Sequence, residues 1–130
     1  MSLSIAIHIN KQLAASAELK EKVGDRFYPV SVKSDVQAPF IVYERDSVQP
    51  NGTKDGTDGD TVEVNVYVFA ETYMESVEIA ELVRDTLDGS SGSYTTFEVD
   101  ECDFTDAAET YEDGIYAQQL VFNLTTYKNK

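Results

Sequence analysis

The chain has 130 residues, and its 24 acidic against 10 basic side chains give a formal net charge of −14 near neutral pH. This length suits one domain, which we expect to cover residues 1–130. Such a negative chain is expected to avoid nucleic acids and anionic membrane surfaces, because both are bound through clustered Lys and Arg side chains. Its single cysteine excludes an internal disulfide and a thiolate zinc site.

The first thirty residues are predicted to form a helix followed by a short extended segment. Residues 3–23 carry apolar side chains at helical spacing, and Ser16 is placed to begin a second short helix within them. Gly24 lies where a glycine commonly ends a helix. The apolar stripe consists of Ile5, Ile9, Leu13 and Ala17. Residues 25–30 then read as extended, and their proline suits a sheet edge or a turn.

Two strands separated by a loop are predicted in the middle of the chain. Residues 39–45 are rich in β-branched and aromatic side chains, which favour a strand. Residues 61–69 alternate between apolar and polar side chains, as a half-buried strand does. The apolar face of this strand consists of Val62, Val64, Val66 and Val68. Residues 47–60 between the strands hold several glycines and a proline, which predict a mobile loop.

A second main helix is predicted directly after the alternating strand. Thr72 and Glu75 have the spacing of a capping box, in which each side chain accepts from a free backbone N–H. The helix is expected to run to about Asp88 and to end at Gly89. Its predicted inner stripe is Tyr73, Val77, Ala80, Val83 and Leu87. Its predicted outer face is Glu75, Glu78, Glu81 and Asp85.

Residues 94–104 and 114–127 read as two long strands, with residues 105–113 as an acidic loop or hairpin end. One face of the last strand carries Tyr116, Leu120, Phe122 and Leu124, interrupted by Gln118. Hairpin-compatible connections favour antiparallel pairing. The predicted fold class is therefore α+β, with a mostly antiparallel sheet of about four to five strands and two main helices packed on one face.

No residue pattern predicts a catalytic, cofactor-binding or metal site. The loop from Asn51 resembles a calcium-binding EF-hand loop, but its twelfth position is Val62 where a bidentate Glu is required. His8 has no neighbouring ligand and is expected on a surface or half-buried helix position. Cys102 lies among acidic residues, which raise a thiol pKa, and is expected to be a small strand residue. Without an apolar run or signal peptide, the chain is expected to be soluble and intracellular.

The distribution of acidic residues is more informative than any single acid. Between Arg84 and Lys128 there are ten acidic residues and no basic one. One interpretation is a device for solubility. The other is a directed negative surface that docks a basic partner or repels a polyanion. The candidate interaction residues are Asp55, Asp58, Asp60, Glu75, Glu78 and Glu81.

The order of several motifs resembles the tail completion family (tail terminator, head–tail joining) of long-tailed bacteriophages and prophages. The motifs are VGDRFYP at 23–29, PFIVY at 39–43, the strand 62–70 leading into Thr72-Tyr73, and a helix ending VRDTLDG at 83–89. The resemblance covers about residues 5–127. Residues 98–113 are the least similar to the family and the most acidic.

The resemblance implies a structural virion protein without enzymatic activity and without a cofactor. It implies a homo-oligomeric ring, with a hexamer favoured, that caps the tail tube and joins it to the head. The implied partners are the tail tube and head-connector proteins, and DNA is expected to pass through the ring without being held. The implied location is the host cytoplasm during assembly and then the virion tail.

Two other functions remain open from the sequence. The first is an acidic protein-docking module of a bacterium without enzymatic activity. The second is a small hydrolase that uses carboxylates, with or without a divalent metal ion.

Overall fold

The structure is a computed structural model that describes residues 2–31, 36–51 and 59–128. A single 3₁₀ turn over Ser2–Ser4 precedes the first helix. The elements that follow in chain order are α1 (Ala6–Ala15), α2 (Ala17–Val23), β1 (Phe27–Pro29), β2 (Phe40–Pro50), β3 (Gly59–Ala70), α3 (Tyr73–Leu87), β4 (Gly92–Ser93), β5 (Phe97–Glu112) and β6 (Ile115–Lys128).

The described strands form one mixed sheet of six strands in the order β1-β2-β3-β6-β5-β4. β1 runs parallel to β2, and every other neighbouring pair is antiparallel. The predicted α+β class is confirmed. The predicted sheet of four to five mostly antiparallel strands is only roughly right, because the sheet has six strands and one parallel pair. The additional strands are β1 and β4 at the two edges, with three and two residues. Segments that short cannot show an alternating pattern in a sequence.

The four valines of β3 form the centre of the core, as their alternation predicts. Val62, Val66 and Val68 have no exposed surface. β6 lies beside them in register, with Phe122 opposite Val64 and Leu120 opposite Val66. The cluster is completed from the helices by Ile9, Leu13, Leu19, Val23, Ile79, Val83 and Leu87. The helices therefore share one face of the sheet.

The first helical segment breaks at Ser16, as predicted. The Ser16 hydroxyl accepts from the backbone N–H of Leu19 over 3.2 Å, which begins α2. Gly24 ends α2 with a φ of +63°, a conformation that glycine adopts without steric cost. The break resets the helical phase, so Leu19 and Val23 are buried whereas Ala17, predicted on the stripe, is exposed.

α3 begins and ends where its capping signals predict. The backbone N–H of Glu75 donates to the Thr72 hydroxyl over 3.2 Å, and the helix ends at Leu87 before Gly89. The predicted inner stripe is wrong at its start, because Tyr73 is 43% exposed whereas Ser76 is fully buried. The Tyr73 ring lies outside the core cluster and contacts the ring of Tyr116 instead.

Residues 105–113, predicted as an acidic loop or hairpin end, form the end of the β5–β6 hairpin and not a loop, because β5 continues to Glu112. Asp113 and Gly114 alone make the turn to β6, with φ of +52° and +82°. Two positive φ values are what a tight two-residue hairpin turn requires. Register shifts after Val99 and after Phe104 interrupt the alternation of β5. Each bulge moves the following side chains to the other face of the sheet. The strand therefore shows no continuous alternation of apolar and polar residues in the sequence.

The predicted loop at 47–60 is shorter than expected, because β2 reaches Pro50 and β3 begins at Gly59. Pro50 lies opposite Asp60 in the β2–β3 register. Residues 52–58, with most of the calcium-like loop and with Asp55 and Asp58, lie outside the described residues.

Candidate functional site

The described candidate interaction residues lie in two separate places. Glu75, Glu78 and Glu81 are on α3, with Glu75 half-buried and the other two exposed. Asp60 lies at the start of β3, where its carbonyl accepts from the Thr126 hydroxyl. β3 rises about 3.3 Å per residue, so roughly 30 Å of strand separate Asp60 from the start of α3. These residues do not form one cluster.

Glu78 is paired with a basic residue from another helix. Lys22 of α2 places its Nζ 3.3 Å from Glu78 Oε2, and both side chains are about half exposed. The sequence shows no basic residue one turn along α3 to offset this charge, but the fold supplies one. An exposed pair of this kind contributes about 0 to 1 kcal/mol, so it reduces the local negative charge more than it stabilises the fold.

A cluster of exposed aromatic side chains lies where α3 begins and the β5–β6 hairpin ends. We define the tyrosine patch as Tyr73, Met74, Tyr111 and Tyr116. The ring centroid of Tyr116 lies 5.8 Å from that of Tyr73 and 4.6 Å from that of Tyr111. Met74 is 61% and Tyr111 60% exposed. Sequence reasoning missed the patch because it placed Tyr73 in the core stripe and Tyr111 in a loop.

Glu109 connects the α3 side of the tyrosine patch to its hairpin side. The Tyr73 hydroxyl donates to Glu109 Oε1 over 3.1 Å, which links α3 to β5. This hydrogen bond and then the negative charge of Glu109 raise the pKa of Tyr73 above its ordinary value. Tyr73 therefore remains a neutral hydrogen-bond donor near neutral pH.

An apolar groove of about 150 Å³ lies between α3 and the hairpin, one helical turn beyond the tyrosine patch. Val77 and Ala80 line it from α3, and Phe104, Ala107 and Leu120 line it from the strands. At its far end the Arg84 guanidinium carbon lies 4.2 Å from the centroid of the Phe104 ring. Arg84 therefore already makes a cation–π contact within this chain.

The sheet face opposite the helices is strongly acidic. The register places five exposed acids of β5 on it: Glu98, Glu101, Asp103, Asp106 and Glu112. No Lys or Arg of the described strands registers on this face. A side-chain hydrogen bond with Asp46 raises the pKa of Glu63, and partial burial and the Asp46 charge act in the same direction. That direction is expected where carboxyl groups crowd together without a neighbouring cation.

His8 is fully buried, so its predicted surface or half-buried position is wrong. Its Nδ1 lies 2.6 Å from the Tyr94 hydroxyl and its Nε2 lies 2.9 Å from the Ser90 hydroxyl. Burial, and to a smaller extent the charge of Lys11, lower the pKa of His8 to about 4. A neutral His8 with both ring nitrogens hydrogen-bonded joins α1 to the α3–β5 connection. Its role is structural.

Cys102 is a buried residue of β5, which confirms the prediction of a small strand residue. Burial raises the pKa of its thiol to about 12, with the charges of Asp103 and Asp88 adding to the effect. A thiol that remains protonated is a poor nucleophile.

Two further site classes find no support within the described parts of the chain. No group of three or more His, Cys, Asp or Glu side chains there is arranged to hold a metal ion. No helix among the same residues is long and apolar enough to cross a membrane.

Comparison with known proteins separates a structural role from an enzymatic one. The family model described as tail completion protein gp17 matches residues 8–127. The chain belongs to this family. Membership makes it a structural tail protein of a phage-like virion and not an enzyme, which confirms the resemblance inferred from the motifs and excludes the hydrolase.

The fold has a close counterpart among solved structures. A chain from a structure described as the virion of a native gene transfer agent particle matches with a TM-score of 0.81 and 18% sequence identity. The match covers 93% of this chain and 92% of that chain. The comparison with curated proteins found no significant match.

Proposed function

We propose that this tail completion protein assembles into a closed ring, with a hexamer favoured, that caps the tail tube and joins it to the head. The observation that carries the proposal is the family match over residues 8–127. The similar fold in a gene transfer agent virion supports a place within a particle. On this proposal residues 1–130 act as one domain, which assembles in the host cytoplasm before joining the virion tail.

The edges of the sheet provide a way to form the ring. β1 pairs only with residues 41–43 of β2, and β4 pairs only with Glu98 and Val99 of β5. Residues 44–50 of β2 and 105–112 of β5 therefore each have one edge that no other described strand pairs, whereas Asp88 and Gly89 cover the β5 edge at Cys102 and Phe104. Unpaired edges are templates for pairing with another chain. Because the two edges differ, contact between them is head-to-tail, and such contacts form a closed ring when the rotation between neighbouring copies closes.

The acidic sheet face supports a role for the proposed ring in passing DNA. If this face lines the channel, its carboxylates repel phosphates and offer no contact that would hold the duplex. Asp60, Asp55 and Asp58, from the β2–β3 connection, add to the charge of each subunit. Titration of the assembled ring with duplex DNA at low salt is expected to show no binding. Tight binding would contradict this part of the proposal.

Crosslinking between the two edges tests the ring directly. A Ser47→Cys, Ala108→Cys variant carries one thiol near each open edge, and the native Cys102 is buried. Treatment with a flexible bis-maleimide is expected to give a ladder of covalent products that ends at the ring size. The matched control, Ser47→Cys with Glu21→Cys, places its second thiol on the exposed side of α2 and should give no ladder. A product no larger than a dimer would contradict head-to-tail closure.

The acidic docking module remains the second candidate, and the tyrosine patch with its surrounding acids favours it. It differs from the ring proposal in expecting a monomer at all concentrations. Light scattering over a wide concentration range, with and without the tail-tube protein, separates the two.

A further inference from the structure

The tyrosine patch and the apolar groove lie along the same line on the molecule. Tyr73, Val77 and Glu81 follow one another at four-residue spacing, which places them on one side of α3. On β5 the register directs Phe104, Ala107, Glu109 and Tyr111 to the helix side of the sheet, opposite Phe122, Leu120, Gln118 and Tyr116 of β6. We define the trough as the strip of surface between these two rows, from Tyr111 to Phe104, which the hydrogen bond from Tyr73 to Glu109 crosses.

The trough has the size of a binding site for an extended segment. Seven residue steps separate Phe104 from Tyr111, which corresponds to roughly 23 Å at the rise of a strand. An extended segment of about seven residues spans this distance. The 150 Å³ groove at one end accommodates an aliphatic side chain. Tyrosine and methionine side chains left exposed at the other end are enriched where proteins bind one another.

The charge around the trough selects the kind of segment. Glu81 and Glu109 are exposed along its sides, and Asp113 is exposed at its end. The hairpin itself, residues 97–127, has no basic residue, and the one basic residue of α3, Arg84, lies over Phe104. Carboxylates beside tyrosine rings favour a cation, because a guanidinium can pair with the acid and stack on the ring. A second copy of this chain is disfavoured as the occupant, because its sequence holds no segment in which basic and aliphatic side chains alternate.

We propose that the trough binds an extended segment of a neighbouring tail protein in which arginine or lysine alternates with aliphatic side chains. The identity of the partner as a tail protein rests on the proposed function, whereas the chemistry of the segment rests on the trough alone. The aliphatic side chains pack on Val77, Ala107 and Leu120. The cationic side chains reach the tyrosine rings and the carboxylates of Glu81 and Glu109.

Three labelled heptapeptides with blocked ends test the proposal by fluorescence anisotropy on the full chain. One alternates Arg with Leu, the second alternates Arg with Ser, and the third alternates Glu with Leu. The Arg–Leu peptide is expected to bind at least about tenfold more tightly than either of the others. Equal binding of the Arg–Ser peptide would show charge attraction alone and overturn the proposal, as would no binding of the Arg–Leu peptide.

Variants locate the binding site on the chain. Glu81→Gln with Glu109→Gln removes two charges from the trough, and Glu18→Gln with Glu21→Gln removes the same number from α2. The first pair is expected to weaken Arg–Leu binding about tenfold or more, and the second less than about twofold. Equal weakening by both pairs would overturn the proposal. Tyr111→Ala is expected to weaken binding to a similar degree, and the exposure of Tyr111 leaves the core intact.

The ring measurement separates failure of this inference from failure of the proposed function. Tyr111→Ala is expected to leave the crosslinked ladder unchanged. Loss of the ladder in this variant would identify the patch as a contact between copies of the chain, which overturns the trough proposal and leaves the ring standing. Selective Arg–Leu binding without any ladder in the Ser47→Cys, Ala108→Cys variant would support the trough and contradict the ring.

Discussion

Acidification is expected to destabilise the protein through His8 over a defined pH range. In the unfolded chain its pKa is the ordinary 6.5, and in the folded chain it is about 4. Between these values the unfolded state binds more protons than the folded state, so stability falls as pH falls. The contribution of the neutral histidine is fully present above pH 6.5 and is lost as pH falls towards 4.

The size of this effect follows from the two pKa values. At pH 5 the linkage amounts to at most about 2 kcal/mol relative to pH 8, and the complete shift corresponds to at most about 3 kcal/mol. Such a loss is a substantial part of the roughly 5 to 15 kcal/mol that stabilises an ordinary domain. The structural cause is burial, because protonation would place a charge among apolar side chains beside Tyr94 and Ser90.

Urea unfolding at several pH values, compared between the native sequence and His8→Gln, isolates the histidine. The many carboxylates titrate in both proteins, so their contribution cancels in the difference. The stability advantage of the native sequence is expected to shrink by up to about 2 kcal/mol between pH 8 and pH 5. A difference that does not change with pH would refute a neutral, buried His8.

Nuclear magnetic resonance provides a second measurement that needs no variant. His8 is the only histidine, so its ring signals are unambiguous. They are expected to remain those of a neutral ring as the pH falls to about 5. A midpoint near 6.5 in the folded protein would show that the ring is solvated.

Three further predictions concern stability and are measured by urea unfolding at pH 7.5. Phe122→Ala removes a fully buried ring from the centre of the sheet and is expected to lower the free energy of unfolding by about 3 to 5 kcal/mol. The control Val121→Ala changes a half-buried neighbour and should lower it much less. Equal losses would contradict the described core. Thr72→Ala removes the hydroxyl that accepts from Glu75 and is expected to cost about 1 kcal/mol, and no loss would show that this cap is not formed. In Gly114→Ala the added Cβ meets no atom within 4 Å, but the residue must keep a φ of +82°. The free energy of unfolding is therefore expected to fall by roughly 1 kcal/mol from backbone strain alone. An unchanged urea midpoint would refute the turn geometry.

Elements specified by short-range signals were predictable from the sequence. The alternation of β3 buries its valines, and the caps at Thr72, Ser16 and Gly24 lie where they were expected. Each of these features depends on residues within a few positions of one another, so the local sequence is enough to specify it. The acidic bias of the hairpin was equally visible, because a charge count needs no three-dimensional information.

Features that depend on distant residues were decided by the tertiary structure. His8 is buried because Tyr94, 86 residues away, and Ser90 reach its two ring nitrogens. Glu78 is paired because α2 passes beside α3 and brings Lys22 within reach. The two bulges of β5 exist only in relation to β6, so no pattern within β5 itself reveals that the strand continues to Glu112.

The candidate site also has features that the sequence indicated and features that only the tertiary structure showed. The sequence indicated an acidic surface, and the motif order indicated the tail completion family, but neither indicated that Tyr73 and Tyr111 meet at Tyr116. That meeting requires the Tyr73 ring to lie outside the core cluster and the hairpin to close at Asp113. Side chains 38 positions apart become neighbours only when the register of a sheet is set. Composition and local periodicity therefore determined the class and the charge of this protein. Its candidate binding surface was decided by strand register, which depends on contacts between residues far apart in the chain.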